Sequence, residues 1–183
     1  SGAELDAKEV IKARILEMRF FRKLGVYTKT KRMPGMKVIT TKWLDINKGD
    51  SQNKNYRSRL VGRELNLHKR DDLFAGTPPL ESLKYIISKC ASKKGNLVMA
   101  IYIKRAYYAP VTREIYIEIP QDDLEPGDEG KVARLNLSLY GTRDAAQNWV
   151  RAYTEVLKKN GFEVGRYSAP NFWHPGKQVA LSV

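Results

Sequence analysis

The sequence has a single cysteine, Cys90, in 183 residues. A disulfide within the chain is thereby excluded, and so is a zinc site built on several thiolates. Cys90 falls between apolar neighbours in a predicted helix, where a lone thiol packs as a small buried hydrophobe. Histidine is almost as scarce. His68 and His174 are far apart in sequence, show no metal-ligand spacing and read as surface or loop residues. No apolar run approaches the roughly 18 residues that would suggest a membrane span. Ser1-Gly2-Ala3 lacks the basic-then-apolar order of a secretion signal and reads as a processing or cloning junction. There is no Gly-rich phosphate loop, no nucleophile elbow, no internal repeat and no low-complexity segment.

Positive charge is abundant. The formal net charge is +13 and the sequence pI about 9.8. Residues 1–70 hold 18 Lys and Arg against 7 Asp and Glu, whereas residues 71–183 hold 15 against 13. A basic lobe beside a near-neutral one points to a polyanionic partner, RNA or DNA. The alternative is a basic surface that only keeps the protein soluble.

Residues 3–24 read as an amphipathic helix, with Val10, Ile11, Leu16 and Phe20 near helical spacing and Gly25 as its terminator. β-prone runs follow at 26–31, 38–46 and 56–65, separated by Met33-Pro34-Gly35 and by a loop starting at Asn47-Lys48-Gly49-Asp50. They predict a small basic antiparallel sheet. A second helix is expected over 80–92 after Thr77-Pro78-Pro79, since proline is tolerated in a first helical turn. Strands are expected at 97–103, 114–119, 131–137, 172–174 and 178–183, and a third helix over 144–159. This predicts an α+β chain with a basic lobe over 1–76 and a second lobe over 77–183. The mixed sheet of the second lobe is expected to be backed by the helices at 80–92 and 144–159, and the first helix to pack on both lobes. The expected core includes Ile11, Phe20, Trp43, Leu60, Ile86, Ile101, Tyr116, Leu137, Trp149 and Leu157. The chain stops within an apolar run, which predicts either truncation or a partner that completes the sheet.

Six short motifs are more specific. They are Thr41-Lys42-Trp43-Leu44-Asp45, Tyr56-Arg57-Ser58-Arg59-Leu60-Val61, Thr77-Pro78-Pro79-Leu80-Glu81, Lys104-Arg105-Ala106-Tyr107, Ile115-Tyr116-Ile117-Glu118-Ile119-Pro120 and Leu139-Tyr140-Gly141-Thr142-Arg143. Together and in this order they resemble copia-type retrotransposon reverse transcriptase, over essentially the whole chain. The resemblance implies a right-hand polymerase fold: a fingers β-lobe plus an incomplete palm sheet backed by helices. In active members, RNA-directed DNA polymerisation uses two Mg²⁺ ions held by convergent carboxylates. Here Tyr102 occupies the position of the first metal-binding Asp, and a phenol does not replace a carboxylate towards Mg²⁺. The second carboxylate pair of the family would follow Val183. Glu114, Glu118 and Asp144 are near in sequence but not where the family's geometry would bring them to the metals. The resemblance therefore implies no catalytic residue and no metal or other cofactor for this chain by itself.

Other positions match the family better. Lys48, Arg57 and Arg59 lie on or near the basic hairpin, where the family's cations grip a nucleotide triphosphate; the alternative is a solvated basic face. Tyr107 matches an aromatic beneath the nucleotide sugar, or is a plain core tyrosine. Tyr140 and Gly141 match a segment beside the templating base pair, with Gly141 placed for close backbone approach or for a turn. Trp43, Trp149 and Trp173 sit inside apolar patterns and read as packing residues.

Three functions fit these observations. One is a catalytically inactive reverse-transcriptase-like fragment that binds nucleic acid through its basic lobe. Another is an accessory subunit of a larger protein or ribonucleoprotein assembly, with a protein partner covering the open C-terminal sheet edge. The third is a fragment of an active polymerase.

Overall fold

The computed structural model of the chain describes residues 4–50, 52–64, 75–166 and 168–183. It is α+β, with helices α1 (Ala7–Leu24), α2 (Leu80–Ala91) and α3 (Ala145–Lys159) and nine short strands among the described residues. The chain divides into two compact units, Ser1–Lys69 with Tyr107–Ala145 and Arg70–Ala106 with Ala146–Val183. Residues on both sides of position 76 thus contribute to the first unit.

In the first unit, α1 starts at Asp6, whose carboxylate accepts from the backbone N–H groups of Lys8 and Glu9. It stops at Gly25, which takes a left-handed φ of 63°, while Val26 N–H donates to the Phe21 carbonyl at 3.0 Å. Ala13, Glu17, Met18 and Phe21 form its buried stripe. Full burial of a side chain such as Phe21 contributes about 2–3 kcal/mol. The expected burial of Ile11 is corrected: it is 51% exposed. The helix turns Glu17 inward instead, and Glu17 is paid in hydrogen bonding by the Tyr108 hydroxyl, which donates to it at 3.1 Å.

The first unit's larger sheet has the order β1 (Tyr27–Lys31), β6 (Lys131–Leu135), β5 (Tyr116–Ile117), β2 (Val38–Ile39). β6 runs antiparallel to both β1 and β5, and β2 lies parallel to β5. Strands β3 (Thr41–Asn47) and β4 (Tyr56–Gly62) form a separate antiparallel hairpin with Trp43 opposite Leu60. The single basic sheet expected from residues 26–65 is therefore corrected: β1 leaves the hairpin and joins β6. The reason is electrostatic. The acidic loop before β6 presents Asp123 and Asp128, and the β1 side chains reach it. Tyr27 Oη donates to Asp123, and Lys29 Nζ donates to Asp128 at 2.6 Å. The core gathers Met18, Phe21, Val26, Leu60, Ile115, Ile117, Leu135 and Leu139, with Phe20, Trp43, Leu137 and Tyr140 half-buried against it. Helix α1 packs on β4 and on the 3₁₀ turn Gln121–Asp123, both in its own unit.

The second unit holds α2, most of α3 and the antiparallel sheet β7 (Glu163–Val164), β8 (Asn171–His174), β9 (Val179–Ser182). Trp149, Tyr153 and Phe172 stack edge to face, with centroids 5.3 and 5.8 Å apart. The helices at 80–92 and 144–159 share a unit with β7–β9, and the mixed sheet belongs to the other unit. The expected strand at 97–103 is corrected. These residues belong to no strand, and Ile101, expected in the core, is 66% exposed. An apolar run becomes a strand only through lateral hydrogen bonds, and no described segment offers it any. His174 is half-buried in β8 against Phe162 rather than in a loop, and Cys90 is half-buried rather than buried. His68 lies outside the described residues.

Candidate nucleic-acid interface

The β3–β4 register decides which hairpin residues share a face. Leu44 stands opposite Arg59 and Ile46 opposite Arg57. Alternation then puts Lys42, Leu44, Ile46, Arg57 and Arg59 on one face, and all five are exposed. The other face carries Trp43, Asp45, Ser58 and Leu60 and turns inward. Arg14 of α1 grips the Asp45 carboxylate with both Nε and Nη2, at 3.2 and 2.6 Å, and Ser58 Oγ donates to the same group at 2.6 Å. Burial raises the Asp45 carboxyl, but these hydrogen bonds outweigh it and hold it below the ordinary carboxylate range. Trp43 Nε1 donates to Asp122 at 2.8 Å. The inward face is thus neutralised and anchored, and the outward face keeps its cations. Among the described residues no carboxylate is paired with Lys42, Lys48, Arg57 or Arg59.

Four of the residues singled out from sequence come together. The Arg59 guanidinium lies 5.2 Å over the Tyr140 ring. Tyr107 meets Tyr140 edge-on at 5.1 Å. Gly62 N–H donates to the Tyr140 carbonyl at 2.7 Å, tying the end of β4 to this segment. Gly141 has φ 82°, and a Cβ there would stand 2.1 Å from the Gly62 carbonyl oxygen. Gly141 is therefore required for close backbone approach. Arg57 lies two residues along β4, on the same face. Lys48 is in the turn opposite Asn55, about 13 Å along the strands from the Arg59 position. The structure does not bring it to the aromatic pair. Sequence reasoning missed Lys42, Leu44 and Ile46, whose alternation matches that of Arg57 and Arg59 once the hairpin register is fixed.

Behind this face, Arg113 bridges two acids. Its Nη2 donates to both Glu64 carboxylate oxygens at 2.8 and 2.9 Å, and its Nε and Nη2 donate to Asp144 at 3.1 Å. Asp144 is thus committed to an ion pair, while Glu114 and Glu118 are exposed. Tyr102 belongs to the other unit and is 81% exposed. Among the described residues no three His, Cys, Asp or Glu side chains gather as a metal site would require. These donors do not fit the two-metal centre of a polymerase.

The profile of the reverse transcriptase (RNA-dependent DNA polymerase) family matches residues 25–172, and the chain belongs to that family. It is 28% identical over 171 residues to the Retrovirus-related Pol polyprotein from transposon TNT 1-94 of Nicotiana tabacum. That alignment covers 90% of this chain and 13% of the relative, so the chain spans a small part of that protein's length. The likeness to copia-type reverse transcriptase carried by the six motifs therefore holds. No solved structure matches the chain. No helix among the described residues is long and apolar enough to cross a membrane.

Proposed function

We propose that this chain is the fingers and first palm segment of a copia-type reverse transcriptase, and that it holds nucleic acid without polymerising by itself. The observation that carries this reading is the outward face of the β3–β4 hairpin. Arg57 and Arg59 stand on one face there, exposed and without carboxylate partners among the described residues, with Lys42 on the same face. Such cations neutralise phosphates and release counterions, whatever the base sequence. Tyr140 holds the Arg59 guanidinium, and Tyr107 widens the aromatic surface beside it.

The test is binding of a fluorescent RNA duplex of arbitrary sequence at rising salt. Affinity should fall steeply with salt and depend little on sequence. The double variant Arg57→Ala/Arg59→Ala should reduce the salt slope by about 2, one for each lost phosphate contact. An affinity that stays level between about 50 and 200 mM salt would sink the reading.

A second reading, an accessory subunit in a larger assembly, is favoured by a different observation. Leu97, Val98, Met99, Ile101, Tyr102 and Ile103 are all exposed. A contiguous apolar surface of this kind marks a protein contact.

A further inference from the structure

Helix α1 carries a basic stripe on the side turned away from the core. At about 100° per residue, Lys8, Lys12, Arg19 and Lys23 fall within an arc of about 60°, and no other residue of the helix falls in it. All four are exposed. The stripe runs about 22 Å along the axis, at about 1.5 Å per residue. Lys12 donates to Glu9 at 2.7 Å. Among the described residues no carboxylate is paired with Lys8, Arg19 or Lys23.

Helix stability does not account for this arrangement. Lys8 and Lys12 are like charges at i,i+4, and so are Arg19 and Lys23, so each pair repels. Lys8 also stands in the first turn, where the helix dipole disfavours a cation; Lys23, in the last turn, is favoured by it. Core packing does not account for it either, because the buried stripe of Ala13, Glu17, Met18 and Phe21 lies on the opposite side of the helix.

Within the first unit, this stripe stands back to back with the outward face of the β3–β4 hairpin. α1 packs on β4, and its Arg14 holds Asp45 on the hairpin's inward face. Arg57 and Arg59 therefore face one way and the stripe the other. A helix is about 10 Å thick, and that is about one Debye length at 0.1 M salt, so the two sets of cations are screened from each other and act independently. We propose that the α1 stripe is a second phosphate-binding surface, and that one chain holds two nucleic-acid segments at once, one on each face. The bridging half of the proposal rests on the hairpin reading; the stripe itself does not. A membrane surface suits the stripe less well. A helix lying on a bilayer inserts an apolar face opposite its cations, and that face of α1 is already in the core. Ile11, Ile15 and Leu16 are exposed but only border the stripe.

The test immobilises one RNA duplex of arbitrary sequence, loads the full chain at about 100 mM salt and measures capture of a second, fluorescent duplex. The parent chain should capture it. Lys8→Gln/Arg19→Gln/Lys23→Gln should still bind the first duplex through the hairpin, which also shows that it is folded, while capture of the second falls about tenfold or more. Glutamine is a good helix former, so α1 stays intact. Arg57→Ala/Arg59→Ala should bind the first duplex through the stripe and lose capture to a similar extent. Three results would overturn the proposal. One is a parent chain that captures no second duplex. Another is capture by the triple variant equal to the parent's, which would mean that the stripe holds no phosphate. The third is stripe-dependent binding to vesicles of anionic phospholipid with none to RNA, which would make a membrane the occupant. Failure of the hairpin reading leaves a different pattern. Arg57→Ala/Arg59→Ala would then bind the first duplex as the parent does and the triple variant would hold none, and bridging across the two faces would fall with that reading.

Discussion

The carbonyl oxygen of Gly62 lies 2.1 Å from where a Cβ on Gly141 would stand, and the Gly62 N–H donates to the Tyr140 carbonyl. The end of β4 and the Tyr140 segment therefore touch backbone to backbone. Gly141→Ala should cost about 3 kcal/mol, combining the left-handed φ with a collision against an immobile carbonyl. Gly62→Ala is the control. Its Cβ would meet Thr142 Cγ2 at an ordinary 3.5 Å, so its cost should stay below about 1 kcal/mol. Urea midpoints of the two variants check this. Equal losses would mean that the close approach is not what Gly141 provides.

Arg59 and Tyr140 make a second prediction. A guanidinium held over a ring is already oriented for a phosphate, whereas an ammonium keeps its charge and loses that stacked, forked geometry. Arg59→Lys should therefore leave the salt slope of RNA binding unchanged and weaken affinity about two- to fivefold, the size of an exposed cation–π contact. Tyr140→Phe keeps the ring and should bind like the parent chain.

The outward hairpin face was legible in Tyr56-Arg57-Ser58-Arg59-Leu60, where strand alternation alone sends both arginines one way and Leu60 the other. Leu60 is buried as expected, and α1 ends at Gly25 as its sequence signals. The pairing of β1 was not legible. Thr28 lies beside Arg134, more than a hundred residues away, and no local pattern encodes that choice. It is made by the acidic loop around Asp123 and Asp128. Residues 97–103 failed for the opposite reason. Their pattern favours a strand, but a strand needs a neighbour, and the described chain offers none. Ile11 shows a third limit. Hydrophobicity placed it in the core, whereas the Tyr108 hydroxyl lets Glu17 take the inward position.

The β1 anchor predicts both a stability loss and a pH dependence. Asp123 is 3% exposed and accepts from Arg22 Nε at 2.7 Å and from the Tyr27 hydroxyl. Asp123→Asn should destabilise the chain by about 2–3 kcal/mol at neutral pH, the scale of hydrogen bonds to a charged group. Next to it, the Lys29 ammonium holds the Asp128 carboxyl down to about 2. A depressed carboxyl stabilises the fold fully above its unfolded value of about 4, and that contribution is lost as pH falls towards 2. Urea midpoints should therefore drop across this window. The drop should be shallower in Lys29→Met, which removes the ammonium. An identical acid profile in the variant would remove Lys29 as the cause.

Tyr102 carries the last prediction. The motif resemblance aligns it with a metal-binding carboxylate of the family, and it is 81% exposed. Tyr102→Asp should leave thermal stability within about 0.5 kcal/mol of the parent, as exposed substitutions generally do. One carboxylate does not make a two-metal centre, because magnesium needs several hard oxygen ligands that converge, and the described residues gather no such set. The variant should therefore show neither saturable Mg²⁺ binding by calorimetry nor nucleotide incorporation on a primed RNA template. Saturable binding in Tyr102→Asp and not in the parent chain would mean that other carboxylates of this chain already converge on that position, and the reading of the chain as non-polymerising by itself would have to be given up.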